Sequence, residues 1–213
     1  MPVKRLAAIL LTFACISVPA LAQTAEKPVK IVVLGDSLSA GYGLAGQDAF
    51  PAKLAVALKA KGIAADVVNA GVSGDTASGG LGRVDWSVPE GTDAVIVELG
   101  ANDALRGIDP AVTRKALDGI LAKLKERKAV VLLAGMLAPP NMGQDYAATF
   151  NAIYPELAGK HGAILYPFFL DGVAANEKLN QRDGIHPTAA GVDVIVQKIM
   201  PKIEDLIAKA KSQ

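Results

Sequence analysis

The chain has 213 residues, with 22 basic side chains against 21 acidic ones for a formal charge of +1, one cysteine and two histidines. That balance argues against nucleic acid or an anionic membrane surface as a partner. So few thiols and imidazoles also argue against a cysteine hydrolase, a thiolate metal centre or a zinc hydrolase, since a catalytic zinc usually takes three protein ligands.

In chain order, the first element reads as an address. Lys4 and Arg5 precede an apolar run over residues 6–18, and Ala20-Leu21-Ala22 then places small residues where a signal peptidase cuts. Residues 1–22 are therefore expected to be a secretory signal peptide, 23–28 a short lead and 29–213 a single domain, exported to the periplasm or beyond. The apolar run is too short for a comfortable membrane span, so no stable membrane anchor is expected. Cys15 falls inside this leader, and Thr12-Phe13-Ala14 lacks the leucine of a lipid-attachment site. Loss of the leader leaves no cysteine and, with Lys4 and Arg5 gone, a net charge of −1. A monomer without structural disulfides suits a chain long enough to bury a proper core.

Beyond Pro28, short apolar runs alternate with amphipathic segments, the pattern of a parallel α/β sheet. Strands are predicted at 30–34, 65–69, 94–99, 129–134 and 163–166. Most are rich in Val, Ile and Leu without alternation, as in strands covered on both faces. Helices are predicted at 50–61, 110–128, 146–160 and 187–209, the last with Pro187 at its first position and kinked or divided at Pro201. The expected architecture is one three-layer α/β/α domain with a five-stranded parallel sheet.

Polar residues gather after the strands. The first strand ends in Gly35-Asp36-Ser37, the second runs into Ser73-Gly74-Asp75-Thr76, and the third into Gly100-Ala101-Asn102-Asp103. A long segment after the fifth leads to Asp183-Gly184-Ile185-His186-Pro187. Ligands of open α/β sheets bind beyond the carboxyl ends of the strands, so Ser37 stands where chemistry usually happens. A histidine base for it must be His161 or His186. His161 follows Lys160 at the end of a predicted helix, where a cation suits the terminal carbonyls. His186 has Asp183 three residues earlier, able to fold back across Gly184 and accept a hydrogen bond from Nδ1, leaving Nε2 for the serine proton.

Acyl transfer also needs donors for an oxyanion. Ser37 N–H, the Gly74 N–H and the Asn102 carboxamide are the candidates, Gly74 standing in a loop where a Cβ would hinder close approach. Singly, each of these residues has an ordinary reading as turn chemistry or a cap; the set is what persuades. No cofactor and no metal are expected, since no carboxylate-rich loop suggests magnesium or calcium.

These blocks, Gly35-Asp36-Ser37-Leu38-Ser39, Gly74 in Ser-Gly-Asp, Asn102 in Gly-Ala-Asn-Asp and Asp183-Gly184-Ile185-His186-Pro187, resemble in order and spacing the four blocks of the SGNH (GDSL-type) hydrolases. The likeness runs from about Val29 to Ile199 and is greatest to an exported bacterial branch of multifunctional ester and thioester hydrolases. It implies a flavodoxin-like fold, a Ser37–His186–Asp183 triad and an oxyanion hole of Ser37, Gly74 and Asn102. It further implies hydrolysis of aryl and acyl esters, acyl thioesters or lysophospholipids through an acyl-enzyme. Loops over 105–108 and 136–143 would wall an acyl groove, with Leu105, Ile108, Met136 and Leu137 as its apolar contacts. Ala101 departs from the glycine that similar family members carry, and its methyl would trim the site near Asn102.

Two rival readings remain. A carbohydrate deacetylase shares the fold. Gly41-x-Gly43-x-x-Gly46, with Asp66 further on, is a literal dinucleotide-binding pattern. Its glycines, however, begin seven residues beyond the strand, and Asp66 falls at the start of the second strand rather than its end.

Overall fold

In the computed structural model, the structure describes residue 1 and residues 27–213; the expected signal peptide, its first residue aside, lies outside the described residues. Five parallel strands, β1 (Val29–Gly35), β2 (Ala65–Asn69), β3 (Ala94–Glu98), β4 (Val130–Ala134) and β5 (Ile164–Tyr166), form one sheet in the order β2-β1-β3-β4-β5. The central strands β3 and β4 are buried along their whole length, which explains why they are apolar throughout but for Glu98 at the end of β3. At the edge, β2 leaves Val68 exposed. The strand order is the flavodoxin-like one, with its switch point where the chain leaves β1 for β2 on one side and returns to β3 on the other.

Helices cover both faces. On one lie α2 (Phe50–Ala60) and α8 (Ala189–Lys211), packed on each other and on the sheet; on the other lie α3 (Ala77–Ser87), α5 (Pro110–Glu126) and, beyond α6 (Gln144–Asn151), α7 (Ile153–His161). Two short helices, α1 (Ser37–Ala40) and α4 (Ala101–Leu105), start directly after β1 and β3. One apolar cluster runs through all layers, including Phe50 and Leu54 from α2, Ile96 from β3, Leu117 and Ile120 from α5, and Ile195, Ile199 and Ile203 from α8.

Four features depart from the expectation. The helix predicted at 146–160 is two helices that meet at Ala152. Pro155 explains the break: its ring would clash with the carbonyl of Asn151 four residues earlier, so it is accommodated only in the first turn of a new helix. Conversely, α8 runs unbroken through Pro201. The carbonyl that Pro201 cannot serve is that of Gln197, an exposed residue, while the buried stripe Ile195, Ile199, Ile203 and Leu206 holds the helix on both sides. α8 also starts at Ala189, capped by Thr188 Oγ1 accepting from Gly191 N–H; Pro187 precedes it in an isolated bridge with Asn180. Finally, α3 has a sequence, Ala-Ser-Gly-Gly-Leu-Gly, that disfavours helix by propensity. Thr76 caps it, and a Cβ at Gly80 would collide with the Leu99 side chain, so glycine is what lets α3 lie close to the sheet.

Candidate active site

Ser37 begins α1 at the carboxyl end of β1, beside the switch point, and is 8% exposed. Its Oγ lies 2.9 Å from His186 Nε2, and His186 Nδ1 lies 2.7 Å from Asp183 Oδ2. The other oxygen, Asp183 Oδ1, accepts from the backbone N–H groups of Ile185 (2.9 Å) and His186 (3.0 Å). These backbone bonds, ahead of the imidazole contact, hold the Asp183 carboxyl down at about 2. An ionised Asp183 accepts a hydrogen bond from Nδ1–H of a neutral imidazole, which leaves Nε2 as an acceptor for the Ser37 hydroxyl. His161, by contrast, sits at the end of α7 with Nε2 2.6 Å from Asp118 and is not brought to Ser37.

Gly74 and Asn102 reach the same edge of the sheet. Gly74 has φ +81°, and Arg106 Nη2 donates to its carbonyl (2.8 Å), fixing the loop. A Cβ there would meet no protein atom nearer than 3.7 Å, so within the protein it is the positive φ that favours glycine. Arg83, almost wholly buried, donates to Asp75 Oδ2 (2.6 Å), Ala70 O (2.7 Å) and Gly35 O (2.8 Å), tying this loop to the ends of β1 and β2. Asn102 Nδ2 donates to Asp75 O (2.9 Å) and Asp36 Oδ2 (3.1 Å). Among the described residues, the N–H groups of Ser37 and Gly74 donate to no protein acceptor.

Beneath the serine lies a pair of fully buried carboxyls. Asp36 Oδ1 accepts from Leu38 N–H (3.0 Å), and Asp36 N–H donates to Glu98 Oε2 (3.3 Å). Burial pushes the Asp36 carboxyl up to about 6, against the pull of its hydrogen bonds from Leu38 and Asn102. Burial first, and the Asp36 charge second, raises Glu98 well above the ordinary carboxylate range. Glu98 was legible as a lone charge in an apolar strand but was passed over.

An apolar groove of about 430 Å³ opens beside Ser37, lined by Leu38, Leu105, Met136, Leu137, Phe168 and Ile185 among others. Three of the four expected groove residues line it. Ile108 does not; it is half-buried elsewhere, its carbonyl accepting from the Tyr146 hydroxyl (2.8 Å). The wall from Phe168 and Ile185 was not foreseen, nor was Tyr42, whose ring lies 4.6 Å from the imidazole of His186 at a 39° tilt. A larger depression of about 730 Å³ between α2 and α8 is rimmed by Lys53, Lys61, Asp193 and Glu204, which are ion-paired, and it offers no nucleophile. Gly41 ends α1 as its C-cap, so a helix already separates β1 from the Gly41-x-Gly43-x-x-Gly46 loop; the strand–glycine loop–helix order of a dinucleotide site is not formed. Among the described residues no cluster of three His, Cys, Asp or Glu side chains forms a metal site, and no helix is long and apolar enough to cross a membrane.

Serine, imidazole and carboxylate in series, at the carboxyl edge of a flavodoxin-like sheet, are the arrangement of a nucleophilic-serine hydrolase. The chain belongs to the GDSL-like lipase/acylhydrolase family, whose model matches residues 33–194. It is 38% identical over 199 residues to Esterase TesA of Pseudomonas aeruginosa, covering 93% of this chain and 98% of that protein. It is likewise 38% identical to the thioesterase 1/protease 1/lysophospholipase L1 of Escherichia coli, over 83% of this chain and 84% of that one. The crystal structure of AlinE4, an SGNH-hydrolase family esterase, superposes with a TM-score of 0.71 at 48% identity, over 84% of this chain and 96% of that one.

Proposed function

We propose that the protein hydrolyses carboxylic esters and acyl thioesters through an acyl-enzyme on Ser37. The observation that carries this reading is the unbroken hydrogen-bonded series from Ser37 Oγ through His186 to Asp183. Ser37 Oγ attacks the acyl carbonyl while His186 Nε2 takes its proton, and Asp183 steadies the imidazolium that forms. The oxyanion is met by Ser37 N–H, Gly74 N–H and the Asn102 carboxamide. His186 then protonates the leaving alcohol or thiol. Water, deprotonated by the same imidazole, attacks the acyl-enzyme and releases the acid, restoring Ser37.

The groove beside Ser37 supports an acyl chain as the occupant, because Leu105, Met136, Leu137 and Phe168 offer apolar surface and each buried methylene contributes about 0.8 kcal/mol. That lining favours acyl esters over the sugar acetyls of a same-fold deacetylase. We further read 1–22 as an export signal cleaved near Ala22 and 29–213 as one monomeric catalytic domain. Mass spectrometry of the mature N-terminus and the solution mass check both points.

The test is hydrolysis of p-nitrophenyl esters of short and medium acyl chains by the wild type and Ser37→Ala. A loss on the order of 10³-fold or more in kcat is expected for the variant. Comparable turnover by Ser37→Ala would overturn the reading.

A further inference from the structure

The three donors assigned to the oxyanion are not equally ready. Ser37 N–H and Gly74 N–H meet no protein acceptor among the described residues. The Asn102 carboxamide has both of its hydrogens engaged, one on Asp75 O at 2.9 Å and one on Asp36 Oδ2 at 3.1 Å. A carboxamide has only two N–H hydrogens, so Asn102 can serve a new acceptor only by sharing or handing over one of them. The two partners differ in kind. Asp75 O is a main-chain carbonyl in a loop whose side chain is clamped by Arg83. Asp36 Oδ2 belongs to a fully buried side chain in the residue before the nucleophile, and its other oxygen is held by Leu38 N–H at 3.0 Å. With both bonds made, the plane of the Asn102 amide is set; with the Asp75 bond alone, it turns about its terminal torsion, which is broad for amides.

We propose that Asp36 is a positioning residue of the reaction: its buried carboxyl holds the Asn102 carboxamide in its donor orientation in the resting enzyme and releases that hydrogen to the oxyanion as it forms. This rests on the acyl-enzyme reading above. No bond to substrate is made by Asp36. Its effect passes through Asn102, and it is felt in the barrier rather than in the binding of the ground state. The bland alternative is that Asp36 merely caps α1 through Leu38 N–H, as aspartate often does at that position.

Asp36→Ser separates the two roles, because a serine hydroxyl still caps the helix but carries no second oxygen for Asn102. In a double-mutant cycle on p-nitrophenyl butyrate, Asn102→Ala is expected to lower kcat by about 10²-fold or more. Asp36→Ser is expected to lower it about tenfold with KM within about twofold, the size of one lost hydrogen bond. In the Asn102→Ala background Asp36→Ser should cost less than about twofold, because the group it positions is gone. An equal cost in both backgrounds, or an unchanged kcat in Asp36→Ser alone, would overturn the proposal.

A measurement on the wild type needs no variant to fold. In 15N-labelled enzyme carrying a phosphonate on Ser37, the two side-chain N–H resonances of Asn102 should respond unequally, one moving strongly and the other little. If neither moves, the hand-over does not occur. Failure of the acyl-enzyme reading has its own signature, full activity in Ser37→Ala, so the two failures are told apart.

Discussion

Two aspartates close to Ser37 and His186 have almost the same local wiring and opposite charge behaviour. Asp36 accepts from the N–H two residues on with one oxygen and from the Asn102 carboxamide with the other; Asp183 accepts from the N–H two residues on with one oxygen and faces His186 Nδ1 with the other. Asp183, on the rim, is held down to about 2, its backbone hydrogen bonds dominating. Asp36, with no exposed surface and Glu98 beneath it, is pushed up to about 6 by burial. The same turn motif thus holds one carboxyl low, at about 2, and leaves the other raised to about 6. Solvent access, and not the motif, decides which.

The largest way to break this comparison is at Asp183. Replacing it with asparagine removes the charge and offers a donor or acceptor in either orientation, so the imidazole loses its enforced tautomer. Asp183→Asn is expected to lower kcat on p-nitrophenyl esters by about 10³- to 10⁴-fold with the fold intact by circular dichroism. A loss under tenfold would mean that Asp183 does not orient His186.

A second comparison concerns stability against pH. The folded state holds the Asp36 proton at pH values where the unfolded carboxyl, with a value of 3.8, has lost it. Wild-type stability therefore falls as pH rises from about 4 to about 6 on this account, and levels off above. Asp36→Asn lacks that linkage. Its stability relative to wild type should improve by on the order of 2 kcal/mol across the same window, whatever its constant cost in lost hydrogen bonds. Asp183→Asn should behave oppositely, since a depressed carboxyl contributes stability that is present above about 4 and lost as pH falls towards 2. Urea denaturation of both variants between pH 3 and 7 checks the pair, and parallel curves would erase the distinction drawn between the two sites.

The smallest expected effect is at Glu98. Burial and the neighbouring Asp36 charge raise its carboxyl well above the ordinary range, which favours the neutral form that glutamine mimics. Glu98→Gln should change stability at pH 7 by within about 1 kcal/mol and leave the Asp36 window where it was. A large loss would show that Glu98 is ionised and that its charge is used.

How much of this was readable beforehand follows the same line between local and tertiary causes. The strands were legible because burial on both faces writes itself as a run of apolar residues, as in β4. The His186–Asp183 pair was legible because histidine is scarce and a three-residue spacing across glycine is a local matter. Gly74 and Asn102 were picked out by motif, and both lie at the sheet edge beside Ser37, with Gly74 at a φ of +81°. The α3 helix was not legible, since its glycines oppose helix locally and only close packing against Leu99 calls for them. The division at Ala152 was marked by Pro155, yet the amphipathic pattern across it hid the signal. The burial of Asp36 was not legible, because nothing in a Gly-Asp-Ser turn announces that the aspartate points into the core. Burial of that kind is settled by what Glu98, Arg83 and Asn102 bring from elsewhere in the chain.

The central claim is that Ser37 is the nucleophile, and covalent labelling tests it most directly. Incubation of the protein with a p-nitrophenyl alkylphosphonate, followed by intact-mass and peptide mass spectrometry, should show one phosphonyl group per chain, located on Ser37, with activity lost in proportion. An adduct on another residue, or an inactivated enzyme whose Ser37 peptide is unmodified, would contradict the account.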